Sequence, residues 1–81
     1  MGYHKRKIKK GKIGEFSKIQ EEFEELTDAI EQDNPVLQLV ELTDILGAID
    51  SYSKKMYNIG LSDLVKMTKC TQSSFKDGSR K

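Results

Sequence analysis

The chain has 81 residues, with 14 Lys and Arg against 13 Asp and Glu, one Cys, one Pro and no Trp, which bounds it to one small domain and excludes a two-domain enzyme, an internal disulfide and a cysteine zinc knuckle. With 36% apolar residues the core is small enough to need a partner subunit, and without an apolar membrane span or signal-peptide core the expected location is the cytoplasm. The net charge of +1 conceals an acidic middle between basic ends: residues 1–14 carry +6, residues 15–50 carry −10 and residues 51–81 carry +5.

The first element in chain order is a basic stretch, residues 1–14, with Lys5, Arg6, Lys7, Lys9, Lys10 and Lys12 interspersed with Gly2, Gly11 and Gly14. It reads as a flexible arm or a short extended segment. His4, the only histidine, is expected there as an exposed, solvated imidazole. Phe16, Ile19, Phe23, Leu26 and Ile30 then recur in steps of three and four, which predicts an amphipathic helix over about 14–32 with Glu21, Glu24, Asp28 and Glu31 on its solvated face.

Asn34 and Pro35 read as the N-cap and first residue of a second helix. Its apolar residues, Leu39, Leu42, Leu46 and Ile49 among them, cover most of its circumference, which implies burial across a subunit boundary. Gly60 is the glycine expected beyond its C-terminus, and Ser62 with Asp63 opens a third, shorter helix carrying Leu61, Leu64, Val65 and Met67. From Thr68 the sequence is polar, with Phe75 its one large apolar residue and Cys70 a small packing residue. The expected fold is all-α: a three-helix subunit forming a four-helix-bundle-like homo-oligomer.

Two acid pairs stand out. Glu22 and Glu25 are three residues apart, as are Glu41 and Asp44, so each pair projects from one face of its helix. A helical hairpin closed at residues 33–35 would bring the four carboxylates together at comparable height. Glu41 and Asp44 lie in the most apolar helix, where acids need a partner. Four convergent carboxylates must protonate or take a cation, and an oxygen-only set favours Mg²⁺, with Mn²⁺ as the alternative, over zinc. The chemistry that follows is phosphoryl or nucleotidyl hydrolysis. No glycine-rich phosphate loop is present.

The run from Lys18 to Leu26, with Glu21, Glu22 and Glu25, followed by Glu41-Leu42-Thr43-Asp44-Ile45-Leu46, resembles the MazG-like all-α nucleoside triphosphate pyrophosphohydrolases, relatives of phosphoribosyl-ATP pyrophosphatase and the dimeric dUTPases. The family pattern is E-x-x-E, a spacer and E-x-x-D; here fifteen residues separate Glu25 from Glu41. The match covers residues 14–56, and Phe75 to Arg80 is similar to the ends of short members. Thr43 stands where many relatives have Gly, and no base-recognition segment is evident.

With the basic arm over 1–14 set aside, the resemblance implies a single MazG-like domain over 15–78 and a tail at 79–81, assembled as a homodimer or homotetramer. It implies Mg²⁺ held by Glu22, Glu25, Glu41 and Asp44, with Glu21 or one of these four orienting water, and cleavage of a nucleoside triphosphate to monophosphate and pyrophosphate in control of a nucleotide pool. Lys18 and, from the arm, Lys12 would hold phosphate. The alternative is a non-catalytic regulatory module that binds nucleotide, or nucleic acid through residues 3–12. The arm alone is equally compatible with a solvated tail.

Overall fold

The computed structural model describes residues 4–76, with side chains through residue 71. Tyr3, the side chain of Phe75 and residues 77–81, hence the expected tail, lie outside the described residues. Three helices follow in order, α1 (Phe16–Glu31), α2 (Pro35–Tyr57) and α3 (Leu61–Lys76), with no strand among the described residues. None of the helices is long and apolar enough to cross a membrane.

Residues 4–14 form an extended segment that returns along α1. Two glycines make that course possible. Gly14 has φ 87°, a left-handed conformation that side chains disfavour. Gly11 lies so close to the first turn of α1 that a Cβ there would meet the Ser17 carbonyl oxygen at 2.2 Å. The α1–α2 corner matches its sequence signals: Asn34 Oδ1 accepts the Leu37 N–H at 3.1 Å and Pro35 begins α2. Asp33 supplies the positive φ that reverses the chain, at 54°.

Helices α1 and α2 form an antiparallel hairpin. Phe16, at the start of α1, meets Tyr52 near the end of α2 in an edge-to-face ring contact with centroids 6.4 Å apart, while Gln38 reaches back to the Ala29 carbonyl at the other end. Among the described residues, helix α3 contacts α2 and not α1. Asp50 in α2 fixes its start by accepting the Leu61 N–H at 2.7 Å. The left-handed residue closing α2 is Asn58 (φ 57°), whose side chain tolerates that conformation, rather than Gly60.

Three expectations are corrected here. Helix α3 is not shorter than α1 but runs through the polar stretch from Thr68 to Lys76, 16 residues in each helix, because no Gly or Pro interrupts it before Gly78. Cys70 is exposed, not packed. The third correction concerns which face of α1 is inside. The apolar stripe is largely outside, with Phe16, Phe23 and Ile30 57%, 61% and 56% exposed, whereas Glu21, Glu22 and Asp28 are buried. Leu39, Leu42 and Leu46 of α2 are exposed as well. Among the described residues the buried apolar side chains are Ala29, Leu37 and Ala48. The radius of gyration, 15.0 Å, exceeds the roughly 11–12 Å of a compact chain of this length.

Candidate metal centre

The hairpin brings both acid pairs to one place. One oxygen from each of Glu22, Glu25, Glu41 and Asp44 lies within 4.8 Å of the others. Glu22 and Glu41 are buried, Glu25 is half-buried and Asp44 stands at the exposed rim. Helical spacing aligns each pair, and the short Gln32–Asn34 corner sets the pairs at matching heights. Glu22 Oε1 and Glu41 Oε1 are buried with no hydrogen-bond partner among the described residues. Desolvated carboxylate oxygens in that position need a proton or a cation.

The protonation states follow from these surroundings. Burial, helped by a hydrogen bond with Glu21 and by the charges of Glu22 and Glu41, raises Glu25 to about 7. Burial also raises Glu41 above the usual carboxylate range. Glu21 behaves oppositely: burial works against its charge, but the Gly11 N–H at 2.9 Å and Lys18 Nζ at 3.2 Å outweigh it and keep the group ionised. Lys18 also reaches Glu22 Oε2 at 3.0 Å, so its ammonium is engaged with the acids themselves. Lys10 lies 3.7 Å from Glu21 Oε2. Lys12 is exposed, and its ammonium makes no contact with the acids among the described residues; its main-chain N–H donates to Ser17 Oγ.

The structure also recruits two residues that sequence reasoning placed in solvent. His4 is not a free imidazole: Nδ1 lies 2.8 Å from Asp28 Oδ2, and Nε2 lies 3.0 Å from Glu41 Oε2 and 3.4 Å from Glu25 Oε1. Burial opposes protonation of this ring, but the bond to Asp28 and the charges of Glu41 and Glu25 prevail and raise its pKa. Asp28 is 2% exposed instead of lying on a solvated face. It accepts the main-chain N–H groups of Lys5 and Arg6, each at 3.2 Å, and the Gln32 amide at 2.7 Å. The hydrogen bond to His4 first, and then these bonds, hold it ionised against the cost of burial. The returning arm is thus what makes an inward Glu21 and Asp28 tolerable. Glu24 and Glu31 stay at the surface, facing Arg6 at 3.4 and 3.9 Å.

The cluster opens on two sides. On the arm side, a cleft of about 590 Å³ is lined by His4, Glu25, Glu41 and Asp44, with Leu37 and Val40 on its apolar wall, a size in the range of small-molecule sites. On the other, a shallower cleft of about 480 Å³ is bordered by Lys18, Glu22, Thr43 and Asp44. Comparison of the chain with protein-family models, curated proteins and solved structures gave no match.

Proposed function

We propose that this chain is the subunit of a Mg²⁺-dependent nucleoside triphosphate pyrophosphohydrolase, with Glu22, Glu25, Glu41 and Asp44 as the metal ligands. The observation that carries the reading is the convergence of these four carboxylates around two buried oxygens that have no hydrogen-bond partner among the described residues. An all-oxygen set with an exposed rim ligand fits Mg²⁺, or Mn²⁺, which retains waters and takes substrate phosphates. When bound, the ion supplies neutralisation of phosphate charge and acidification of water.

The side chains do the rest. Glu22 and Glu41 hold the buried half of the ligand set, and Lys18 fixes the orientation of Glu22 through the 3.0 Å contact. Glu21, kept ionised by Gly11 and Lys18, lines neither cleft, so orienting water toward the α-phosphorus falls to one of the four converging carboxylates. Water adds across the α–β phosphoanhydride, the bond from the α-phosphorus to the bridging oxygen breaks, and nucleoside monophosphate and pyrophosphate leave. Leu37 and Val40 give the arm-side cleft an apolar wall for a base.

The active form in this reading is a homo-oligomer. Phe16, Phe23 and Ile30 on α1 and Leu39, Leu42 and Leu46 on α2 are left 46–65% exposed by their own chain, more apolar surface than scattered exposure explains. A second copy covers these faces, completing a four-helix arrangement. The reaction is tested by incubating the protein with Mg²⁺ and a panel of ribo- and deoxynucleoside triphosphates, following monophosphate and pyrophosphate beside a Glu41→Gln control. Release by the wild type alone is the expected result. Silence across the panel contradicts the reaction and favours the nucleotide-binding module.

A further inference from the structure

On its arm side the cluster brings His4 against two of the proposed magnesium ligands, Glu25 and Glu41. His4 Nε2 faces Glu41 Oε2 at 3.0 Å and Glu25 Oε1 at 3.4 Å, while Nδ1 lies 2.8 Å from Asp28 Oδ2. Asp28 is buried and itself fixed by the N–H groups of Lys5 and Arg6 and by the Gln32 amide. A buried carboxylate that takes the N–H of one ring nitrogen is the partner that orients a metal-ligating imidazole, fixing its tautomer and leaving the other nitrogen as the donor.

Distances and donor bookkeeping agree with this. Metal–ligand bonds of about 2.0–2.2 Å in a tetrahedral shell place neighbouring ligand atoms roughly 3.3–3.6 Å apart, a range that includes the 3.4 Å from Nε2 to Glu25 and lies a few tenths of an ångström above the 3.0 Å to Glu41. The ring and the shared Glu25–Glu41 hydrogen bond leave one acceptor over: Nε2 has at most one proton to offer the two carboxyl groups, and Glu41 Oε1 is buried with no partner among the described residues. Glu41 is 3% exposed, so the unpartnered oxygen has no recourse to bulk water.

The geometry points to a second cation position on the arm side of the cluster, where His4 Nε2, Glu25 and Glu41 ligate a borderline divalent ion of the Zn²⁺, Co²⁺ or Fe²⁺ class and Asp28 positions the imidazole. An imidazole nitrogen suits those ions, whereas Mg²⁺ keeps to oxygen. Three protein ligands leave a position open to the arm-side cleft, the arrangement of a site that takes water or an anionic ligand as its fourth partner. The inference rests on the carboxylate cluster of the proposed function but not on its reaction.

Co²⁺ is the probe, titrated into the full chain in the presence and absence of Mg²⁺. Because the sequence holds a single histidine, any solvent-exchangeable imidazole N–H that Co²⁺ shifts belongs to His4. The wild type is expected to give a saturable visible absorption and one strongly shifted N–H, that of Nδ1. His4→Gln removes the shifted signal and weakens Co²⁺ binding by more than about 100-fold, while Asp28→Asn weakens it about 10–100-fold; Mg²⁺ affinity stays within about twofold in His4→Gln, since Mg²⁺ has no use for the nitrogen. Asp44→Asn, which touches only the magnesium set, keeps the shifted N–H. Equal Co²⁺ affinity in wild type and His4→Gln, or no shifted N–H at saturation, overturns the second position and leaves the four-carboxylate set standing. Loss of Mg²⁺ binding as the failure of that set would instead be read from wild type, independently of the His4 signal.

Discussion

Lys18 Nζ lies 3.0 Å from Glu22 Oε2, one turn along α1, and couples the stability of the helix to the candidate metal centre. Glu22 is buried while Lys18 is a quarter exposed. Lys18→Met therefore takes the ammonium away from two buried carboxylates, Glu22 and Glu21. The expected loss in metal-free protein is about 2 kcal/mol, below the ~3–5 kcal/mol of a fully buried pair because water reaches Lys18. Urea unfolding checks this: the midpoint falls, and millimolar Mg²⁺ restores part of it. A midpoint that does not move would show that Glu22 is not held by Lys18.

The acid cluster also sets a pH signature. Burial chiefly raises Glu25 from 4.5 to about 7 and raises Glu41 with it. A raised folded-state pKa contributes stability that is complete below the unfolded value and lost as pH rises through the folded one. His4, raised above 6.5 against the pull of burial by Asp28, Glu41 and Glu25, acts in the same direction. Asp28 and Glu21 are lowered, burial notwithstanding, by their hydrogen bonds, and their contribution is lost as pH falls. Metal-free protein is thus expected to be most stable between about pH 5 and 6 and to weaken toward pH 8. Thermal melts across that range check the profile, and excess Mg²⁺ flattens its alkaline side. A metal-free maximum at pH 8 would contradict the crowding of the carboxylates.

The helical hairpin and its two acid pairs were legible in the sequence because both depend on local information. Spacing of three residues aligns Glu22 with Glu25 and Glu41 with Asp44, and Asn34 with Pro35 fixes the corner. His4 and Asp28 escaped because their meeting depends on the arm's return, which Gly14 and Gly11 permit through a positive φ and a close backbone approach. One signal was present: Glu21, Glu25, Asp28 and Gln32 follow one another in steps of four, three and four, a polar stripe as regular as the apolar one. Periodicity locates two faces of α1 but does not say which faces its own chain. The rule that the apolar stripe turns inward presumes a core within one chain, and here the hairpin buries Glu21, Glu22 and Asp28 while Phe23 stays outside.

The arm's dependence on Gly11 gives a direct test. An added methyl would fall 2.2 Å from the Ser17 carbonyl oxygen, backbone that does not yield easily. Gly11→Ala is expected to lift the arm from α1, break the Gly11–Glu21 hydrogen bond and withdraw His4 from the acids. Strain of about 1–3 kcal/mol makes tryptic cleavage among Lys5 to Lys12 at least about tenfold faster, with helical circular dichroism unchanged. Cleavage at the wild-type rate would mean that the arm does not hold this contact.

The inside-out α1 predicts how the chain assembles. Phe23→Asp on α1 and Leu42→Asp on α2 each place a charge on an uncovered apolar face. Covering such a side chain is worth about 1.5–3 kcal/mol, so each substitution weakens association by about tenfold or more per copy. Sedimentation velocity over a concentration series checks this. A wild type that sediments as a monomer at every concentration would contradict the assembly.

The measurement nearest the central claim is Mn²⁺ binding, followed by its electron paramagnetic resonance signal, in wild type, Glu22→Gln and Glu41→Gln at matched pH. Convergent ligation by Glu22, Glu25, Glu41 and Asp44 predicts a saturable site in the wild type, displaced by Mg²⁺, and a loss of affinity of at least about tenfold in each variant, since each removes an anionic ligand from the set. Equal affinity in all three proteins would contradict the claim that these carboxylates hold a divalent ion.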